Sequence, residues 1–488
     1  SAPVAIHPDG KGASAVVYLS RRQWEKAVPD PLKAPIAAYL EQAAFDFHVG
    51  KTAVLRLHDP IGSWQRIVLT GLDGTGNEVE RWRLAAAAAM RTAVQEHLTS
   101  VDLLPPPQPE CWGPVVLGAR FGSFQCTGYK TASKRHPVEI ALILPDTAEA
   151  LSIVQEANAV ADGIEFARRL QYAAPNDKAP YTLARRIQAL FSPGVVEILD
   201  EPALKELGTG GILGVGQGSV HPPCVLVVRS PALQKKGELP ELLALVGKGV
   251  TFDSGGYSLK PGNKMVNMKY DMSGAAAVLG AIWALHRIKS PAPVLAVIPL
   301  AENMIGGGAQ RPGDVVSMLA GLTVEITNTD AEGRMILADA LTLAVNKGAT
   351  HLIDVATLTY AGVIGLGRGY AALMGNDANW QEQVKAAAQQ AGERIWALPL
   401  DHDSYGQAMQ SDIADLRNAA DEVGGALTAG YFLSRFVHER SWAHIDMGLQ
   451  GWDLAPSPFG QSGAKGGMTA TLYHLVQQFT KNRAQSSQ

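Results

Sequence analysis

The chain has 488 residues, 47% of them hydrophobic and 18% charged, which excludes a disordered or low-complexity polymer and provides for a sizeable core. At about 150 residues per domain this length gives roughly three units, or two with one large. Lys plus Arg number 42 and Asp plus Glu 46, a net charge of −4, so the balance does not point to nucleic acid or an anionic membrane.

In chain order, residues 14–19 and 66–70 predict short buried strands, and 35–47 and 78–98 have helical periodicity, the second supported by the alanine run 85–89. The Pro-rich stretch 105–109 reads as a loop, after which 114–117 and 140–144 are strand-like. Residues 148–172 predict one long helix able to join two domains, closed by the turn signal Ala174-Pro175-Asn176-Asp177. Beyond it strands are expected at 195–199, 224–228, 242–246, 294–299, 323–328 and 352–356, with helices between them, notably 274–288 and 335–346. This alternation predicts an α/β fold in two domains. They are a smaller N-terminal α/β domain over 1–147 and, after a linking helix over 148–174, a larger α/β domain over 175–488 with a mostly parallel central sheet.

Cys111, Cys126 and Cys224 are too few and too scattered for a disulfide framework or a zinc knuckle. With no basic-then-apolar leader and no apolar run near about 18 residues, the expectation is a cytoplasmic protein that does not enter a membrane. Several catalytic motifs are missing from the chain: H-E-x-x-H, the G-x-S-x-G elbow, Walker A and G-x-G-x-x-G. The glycine-rich stretches 208–218 and 306–308 read as loops.

Acidic and basic residues concentrate in three segments of the second half: 246–260 with Lys248, Asp253 and Lys260; 268–274 with Asp271; and 328–334 with Asp330, Glu332 and Arg334. Two of them follow predicted strands, where open α/β sheets bind ligands. Asp271 and Asp330 stand ahead of predicted helices, and a helix N-cap is the plain structural explanation for each. Capping needs one residue, however, and Asp330, Glu332 and Arg334 recur at period two, which in an extended stretch turns all three toward one spot. Four gathered carboxylates repel one another unless neutralised, and two divalent cations roughly 3.5–4 Å apart would neutralise them. Lys260 and Arg334 then remain as positive charge facing a developing oxyanion. This distribution suits a two-metal hydrolase and leaves peptide and phosphate-ester substrates both open.

The same segments closely resemble the leucine aminopeptidases, the two-zinc cytosol aminopeptidases. Asn328-Thr-Asp-Ala-Glu-Gly-Arg334, running on into Met335-Ile-Leu-Ala-Asp-Ala340, is similar to that family's signature, as are 246–260, Ala301-Glu-Asn303 and Arg311-Pro-Gly-Asp314. The similarity extends from about residue 199 to 444; the first 145 residues resemble the family's variable N-terminal domain in outline. The resemblance implies that 175–488 is a catalytic dinuclear-metal peptidase domain with Lys248, Asp253, Asp271, Asp330 and Glu332 as ligands. Asp253 and Glu332 would bridge both metals. Lys248 and Asp271 would complete one site, and Asp330 with its own carbonyl the other. A lysine ligand must be neutral against an ordinary pKa of about 10.4, which adjacent dications favour.

The resemblance further implies attack by a metal-bridging water, Lys260 polarising the scissile carbonyl, and Arg334 holding bicarbonate as general base. Met268, Asn328, Thr357, Leu358 and Tyr360 would line the substrate groove. The metals would be zinc or manganese, with magnesium or cobalt in an exchangeable site. The partners would be short peptides with a free N-terminus and five further copies of the chain in a hexamer. A metal-dependent phosphoesterase would want more phosphate-binding cations, and a DNA-binding role a basic groove that the net charge disfavours. A catalytically dead homologue is disfavoured by intact residues at all seven positions. Three features depart from the family pattern: Tyr360 in place of glycine beside the side-chain pocket, Ser273, and the stretch 448–467 with Trp452 and Lys465.

Overall fold

The computed structural model describes residues 1–126, 128–131, 137–234, 241–420, 424–453 and 462–486. These form two compact units, one taking residues 1–165 and the other residues 166–453 and 463 onward, so that the helix Ala148–Tyr172 is shared between them at Glu165 and Phe166. Among the described residues no helix is long and apolar enough to cross a membrane.

The first unit is built on strands β1 (Val4–Ile6), β2 (Ser14–Leu19), β3 (Thr52–Ile61), β4 (Trp64–Gly71), β5 (Ser100–Leu103) and β6 (Glu139–Leu142). They form one sheet in the order β1-β6-β5-β2-β4-β3, parallel except for β3 against β4. Every residue of β2 is buried because the sheet is covered on both faces: Val16 and Tyr18 pack with Trp82 and Val115, while Ala15, Val17 and Leu19 pack with Leu32 and Ile36. Residues 114–117 are helical, not strand, lying in Trp112–Ser123. A short apolar run does not by itself distinguish a strand from a buried helix, and here two glycines decide. A Cβ at Gly118 would lie 2.1 Å from the Arg83 carbonyl oxygen, and one at Gly122 2.2 Å from that of Ala87. Only a glycine face lets this helix press against the alanine run of the helix Glu78–Gln95. The helix expected over 35–47 lies at Asp30–Gln42, entered through Pro29 and Pro31.

The second unit contains β7 (Val196–Leu199), β8 (Cys224–Arg229), β9 (Leu243–Gly247), β10 (Gly249–Asp253), β11 (Val294–Asn303), β12 (Val315–Ser317), β13 (Thr323–Glu325), β14 (His351–Ala356), β15 (Ala371–Gly375), β16 (Ile395–Ala397), β17 (Leu416–Arg417) and β18 (Ser441–Asp446). Its large sheet runs β16-β15-β18-β14-β9-β11-β8-β7, with β10 on β11. The centre, β18-β14-β9-β11, is parallel, and the helix Glu332–Asn346 packs on it through a core containing Val246, Val297, Leu352 and Trp442. The segment expected as a strand at 323–328 pairs over only three residues and joins a separate small sheet, β12-β13-β17. The glycine-rich stretch 208–218 is also corrected: Gly210–Gly216 is a buried helix, and Asp339 accepts from the Ile212 amide at 3.0 Å at its start, so a carboxylate of the chain itself already occupies that end. Because β9, β14 and β18 are parallel, Lys248, Thr357 and Asp446 all emerge at one edge of the sheet.

Candidate metal centre

Strand β9 delivers Lys248, and β10 ends on Asp253. A one-turn 3₁₀ helix, Met268–Tyr270, sets Asp271 ahead of the helix Ser273–Arg287, and Asp330 and Glu332 lie at the start of Glu332–Asn346. Neither helix has a side-chain N-cap bond, so Asp271 and Asp330 are not caps. Asp253, Asp330 and Glu332 each bring one carboxylate oxygen within 4.8 Å of the others.

Two lysines bind this acidic cluster from opposite ends of the ligand set. Lys248, 3% exposed, places Nζ 2.9 Å from both Asp271 Oδ2 and Glu332 Oε1 and donates to the Thr357 carbonyl at 2.9 Å. Lys260 Nζ lies 2.8 Å from Asp253 Oδ2 and 2.5 Å from Asp330 Oδ1. Burial alone would depress both ammonium groups, but the carboxylates outweigh it, Asp271 and Glu332 foremost for Lys248 and Asp253 for Lys260, and hold both well above the lysine range. Burial in turn pushes the Asp271 carboxyl well above the usual range, and burial followed by Asp253 and Glu332 pushes Asp330 up to about 7. Asp271 Oδ2, Asp330 Oδ1 and Glu332 Oε1 are buried, and Lys248, which also donates to Asp271 Oδ1 at 2.9 Å, and Lys260 are the cations nearest them. Four carboxylates against two ammonium groups, with buried acceptor oxygens left over, is a donor set that fits divalent cations.

The expectation that Asp330, Glu332 and Arg334 turn to one spot is corrected. Glu332 and Arg334 occupy the first turn of a helix, where residues two apart diverge by about 200°. Glu332 reaches Lys248, whereas Arg334 donates through Nη1 to the Asn418 carbonyl at 2.8 Å. Burial lowers Arg334 to about 10, and its Nε is buried without an acceptor.

Of the expected groove residues, Thr357 donates its hydroxyl to Asp271 Oδ1 at 2.8 Å, and the Leu358 side chain lies beside Gly333 and Lys248. Asn328 Oδ1 accepts from the Asp330 amide at 2.8 Å, so it shapes the turn carrying that carboxylate. Met268 is half-buried and Tyr360 is 66% exposed. Within the divergent stretch 448–467, residues 454–461 lie outside the described residues; Trp452 stacks on Tyr270 at 5.7 Å and lies 5.3 Å from Tyr172.

Three supporting residues carry no role in the sequence reading. Asn303 donates to Asp253 Oδ1 at 2.8 Å and to the Thr329 carbonyl at 3.1 Å, tying β10 to the 328–334 segment. Asn418 donates to the Asn328 carbonyl at 2.7 Å and accepts from the Thr327 amide at 2.8 Å. Asp446 holds the loop after β14. Asn303 belongs to a run resembling the family, a usable signal; Asp446 lies just past the stretch of similarity, and Asn418 has no local pattern.

Residues 165–473 match the cytosol aminopeptidase family, catalytic domain. The chain belongs to the cytosol aminopeptidase family. A probable cytosol aminopeptidase of Solibacter usitatus (strain Ellin6076) is 42% identical over 364 residues, 74% of this chain and 75% of that one. One of Brucella ovis (strain ATCC 25840 / 63/290 / NCTC 10512) is 39% identical over 463 residues, 92% of each chain. Among solved structures, the bottromycin maturation enzyme BotP is similar at a TM-score of 0.84 and 32% identity, covering 96% of this chain and all of that one. The same enzyme in complex with Mn gives 0.82 and 31%, covering 98% of this chain. As a member of the cytosol aminopeptidase family, this chain is a metal-dependent aminopeptidase, a hydrolase acting on peptides.

The acidic cluster also has a tight point at Gly333. A Cβ there would lie 2.6 Å from Lys248 Cε, 2.8 Å from its Nζ and 2.9 Å from Leu358 Cδ1. These are ends of flexible side chains, so Gly333→Ala is expected to fold normally but displace Lys248, lowering metal affinity by about 10–100-fold. Calorimetric metal titration beside a thermal melt checks this; unchanged affinity would count against it.

Proposed function

We propose that Lys248, Asp253, Asp271, Asp330 and Glu332 hold two divalent cations, and that the chain releases single N-terminal residues from short peptides. The observation that carries this is the convergence of buried Asp253 and Glu332 with half-buried Asp330 within 4.8 Å, flanked by Lys248 with Asp271. Bound there, the cations supply Lewis acidity and an activated nucleophilic water. Zinc or manganese suits the mixed nitrogen and oxygen donors, with magnesium or cobalt in an exchangeable position; the manganese complex of BotP supports manganese.

The protein's own groups do the rest. Lys260, kept charged by Asp253 and Asp330, donates from Nζ to the scissile carbonyl oxygen and stabilises charge that develops there. The peptide's free α-amino group docks beside Asp271, which confines cleavage to the first bond. Arg334, with a buried donor lacking an acceptor, suits a small anion and would hold bicarbonate, which would supply a proton acceptor at the site. Met268, Asn328, Thr357, Leu358 and Tyr360 border the groove. Assembly as a homohexamer belongs to the same reading.

Amino-acid release from a short peptide and from its N-acetylated twin, with manganese or zinc and again with a chelator, tests the proposal. Release from the free peptide alone, abolished by chelation, is expected. Equal cleavage of both twins would sink the α-amino recognition.

Loading with metal is expected to release protons, because coordination needs Lys248 neutral and Asp330 ionised. Lys248 gives up one proton throughout the working range. Asp330, with its carboxyl pushed up to about 7, gives up another below that value. Affinity therefore rises with pH, about tenfold per unit above pH 7 and more steeply below it. Calorimetry in buffers of different ionisation heat reads the proton count, and a pH-independent affinity would contradict it.

A further inference from the structure

Strand β18 ends in Asp446, 1% exposed, opposite Ala356 at the end of β14. Its Oδ1 accepts from the Leu358 amide at 3.1 Å, and its Oδ2 from the Thr359 amide at 3.1 Å and the Thr359 hydroxyl at 2.6 Å. The Gly448 amide also donates to Oδ1, at 3.4 Å, so both carboxylate oxygens are occupied, chiefly by the loop that follows β14. That loop carries Thr357, whose carbonyl accepts from Lys248 Nζ at 2.9 Å and whose hydroxyl donates to Asp271 Oδ1 at 2.8 Å. Among the described residues Asp446 makes no hydrogen bond or ion pair with Lys248 or Asp271 themselves. The chain of contacts therefore runs from a buried charge at a strand end, through two peptide groups, to both members of one ligand pair.

We propose that Asp446 is a positioning residue for the Lys248–Asp271 half of the metal centre. It fixes the backbone of residues 357–359 so that Thr357 presents its carbonyl and hydroxyl in the geometry those two ligands need. Three backbone N–H groups, of Leu358, Thr359 and Gly448, and a hydroxyl converging on one side chain call for an acceptor at both of its ends. A carboxylate supplies that, and an amide of the same shape does not. Outer partners of this kind orient ligands and set metal affinity, and losing one typically costs about 10–100-fold. The inference rests on the reading of Lys248 and Asp271 as ligands.

The test titrates metal-stripped protein with manganese chloride by calorimetry, with metal content per chain as a second readout. Asp446→Asn turns an NH₂ group toward a backbone N–H, and the weaker of the two binding events is expected to lose about 10–100-fold in affinity. Activity at limiting manganese falls with it and returns at high manganese. Thr359→Val removes only the hydroxyl bond and is expected to give a smaller loss of the same kind; it decides the matter if Asp446→Asn does not fold. Trp442→Phe, on the same strand but bonded to Asp354, serves as the control for general destabilisation and should leave both affinities unchanged. Two binding events of unaltered affinity in Asp446→Asn would overturn the positioning role, provided that Asp271→Asn loses one. If Asp271→Asn also keeps both, it is the ligand assignment that fails.

Discussion

Replacing Glu332 by glutamine is expected to lower kcat/KM for a free-N-terminus peptide by at least about 10³-fold while the protein stays folded. Glu332 is 2% exposed at the start of its helix, and its carboxylate meets Asp253 and Asp330 on one side and Lys248 on the other. Its carboxylate thus lies against both Lys248 and the Asp253–Asp330 pair. Glutamine keeps the shape but removes the charge, and it faces one neighbour with an NH₂ group that cannot ligate. Lys248 keeps Asp271 and the Thr357 carbonyl as partners, so the buried ammonium is not stranded and the fold is expected to survive. Steady-state kinetics, metal content per chain and circular dichroism on the same preparation check this. Activity within tenfold of the parent would remove Glu332 from the centre.

Lys260→Met is expected to have the second largest effect, a fall in kcat of about 10²–10³-fold with metal content undiminished. Methionine fills much of the lysine stem's volume, and at 16% side-chain exposure the site tolerates an apolar end. What disappears is a positive charge between Asp253 and Asp330, so those carboxylates become freer to bind cations. The two variants thus separate ligation from charge stabilisation: one empties the centre, the other leaves it loaded but slow. A change confined to KM in Lys260→Met would show that the lysine binds ground state and transition state alike.

Lys248, Asp253, Asp271, Asp330 and Glu332 stand out in the sequence because their residue types and spacing resist a structural explanation, and the helices that follow Asp271 and Asp330 use no side-chain caps. Period two nonetheless does not turn residues 330–334 toward one spot. The segment is a turn running into a helix and not an extended stretch, so that Arg334 departs toward Asn418 while Glu332 stays with the carboxylates. Strands with β-branched cores, β2 and β8 among them, were evident from composition. Residues 114–117 were not, because what makes them helical lies across the interface, in the alanine run that Gly118 and Gly122 allow them to approach. Asn418 was illegible for a related reason: its partners lie about ninety positions earlier, at Thr327 and Asn328, and no local pattern announces such a bond.

The parallel pairing of β9, β14 and β18 also bears on how the enzyme comes into being. Leu243 pairs with His351, and His351 with Ser441, so these neighbours are separated by roughly a hundred residues of chain. Closing such long loops is entropically expensive and slow, and native contacts of this range form late. Lys248 and Asp253 leave the ribosome well before Asp330 and Glu332, and the strand ending in Asp446 comes later still. A nascent or truncated chain accordingly has no complete set of donors, and hydrolytic competence arrives only when most of the second unit has been synthesised and has closed.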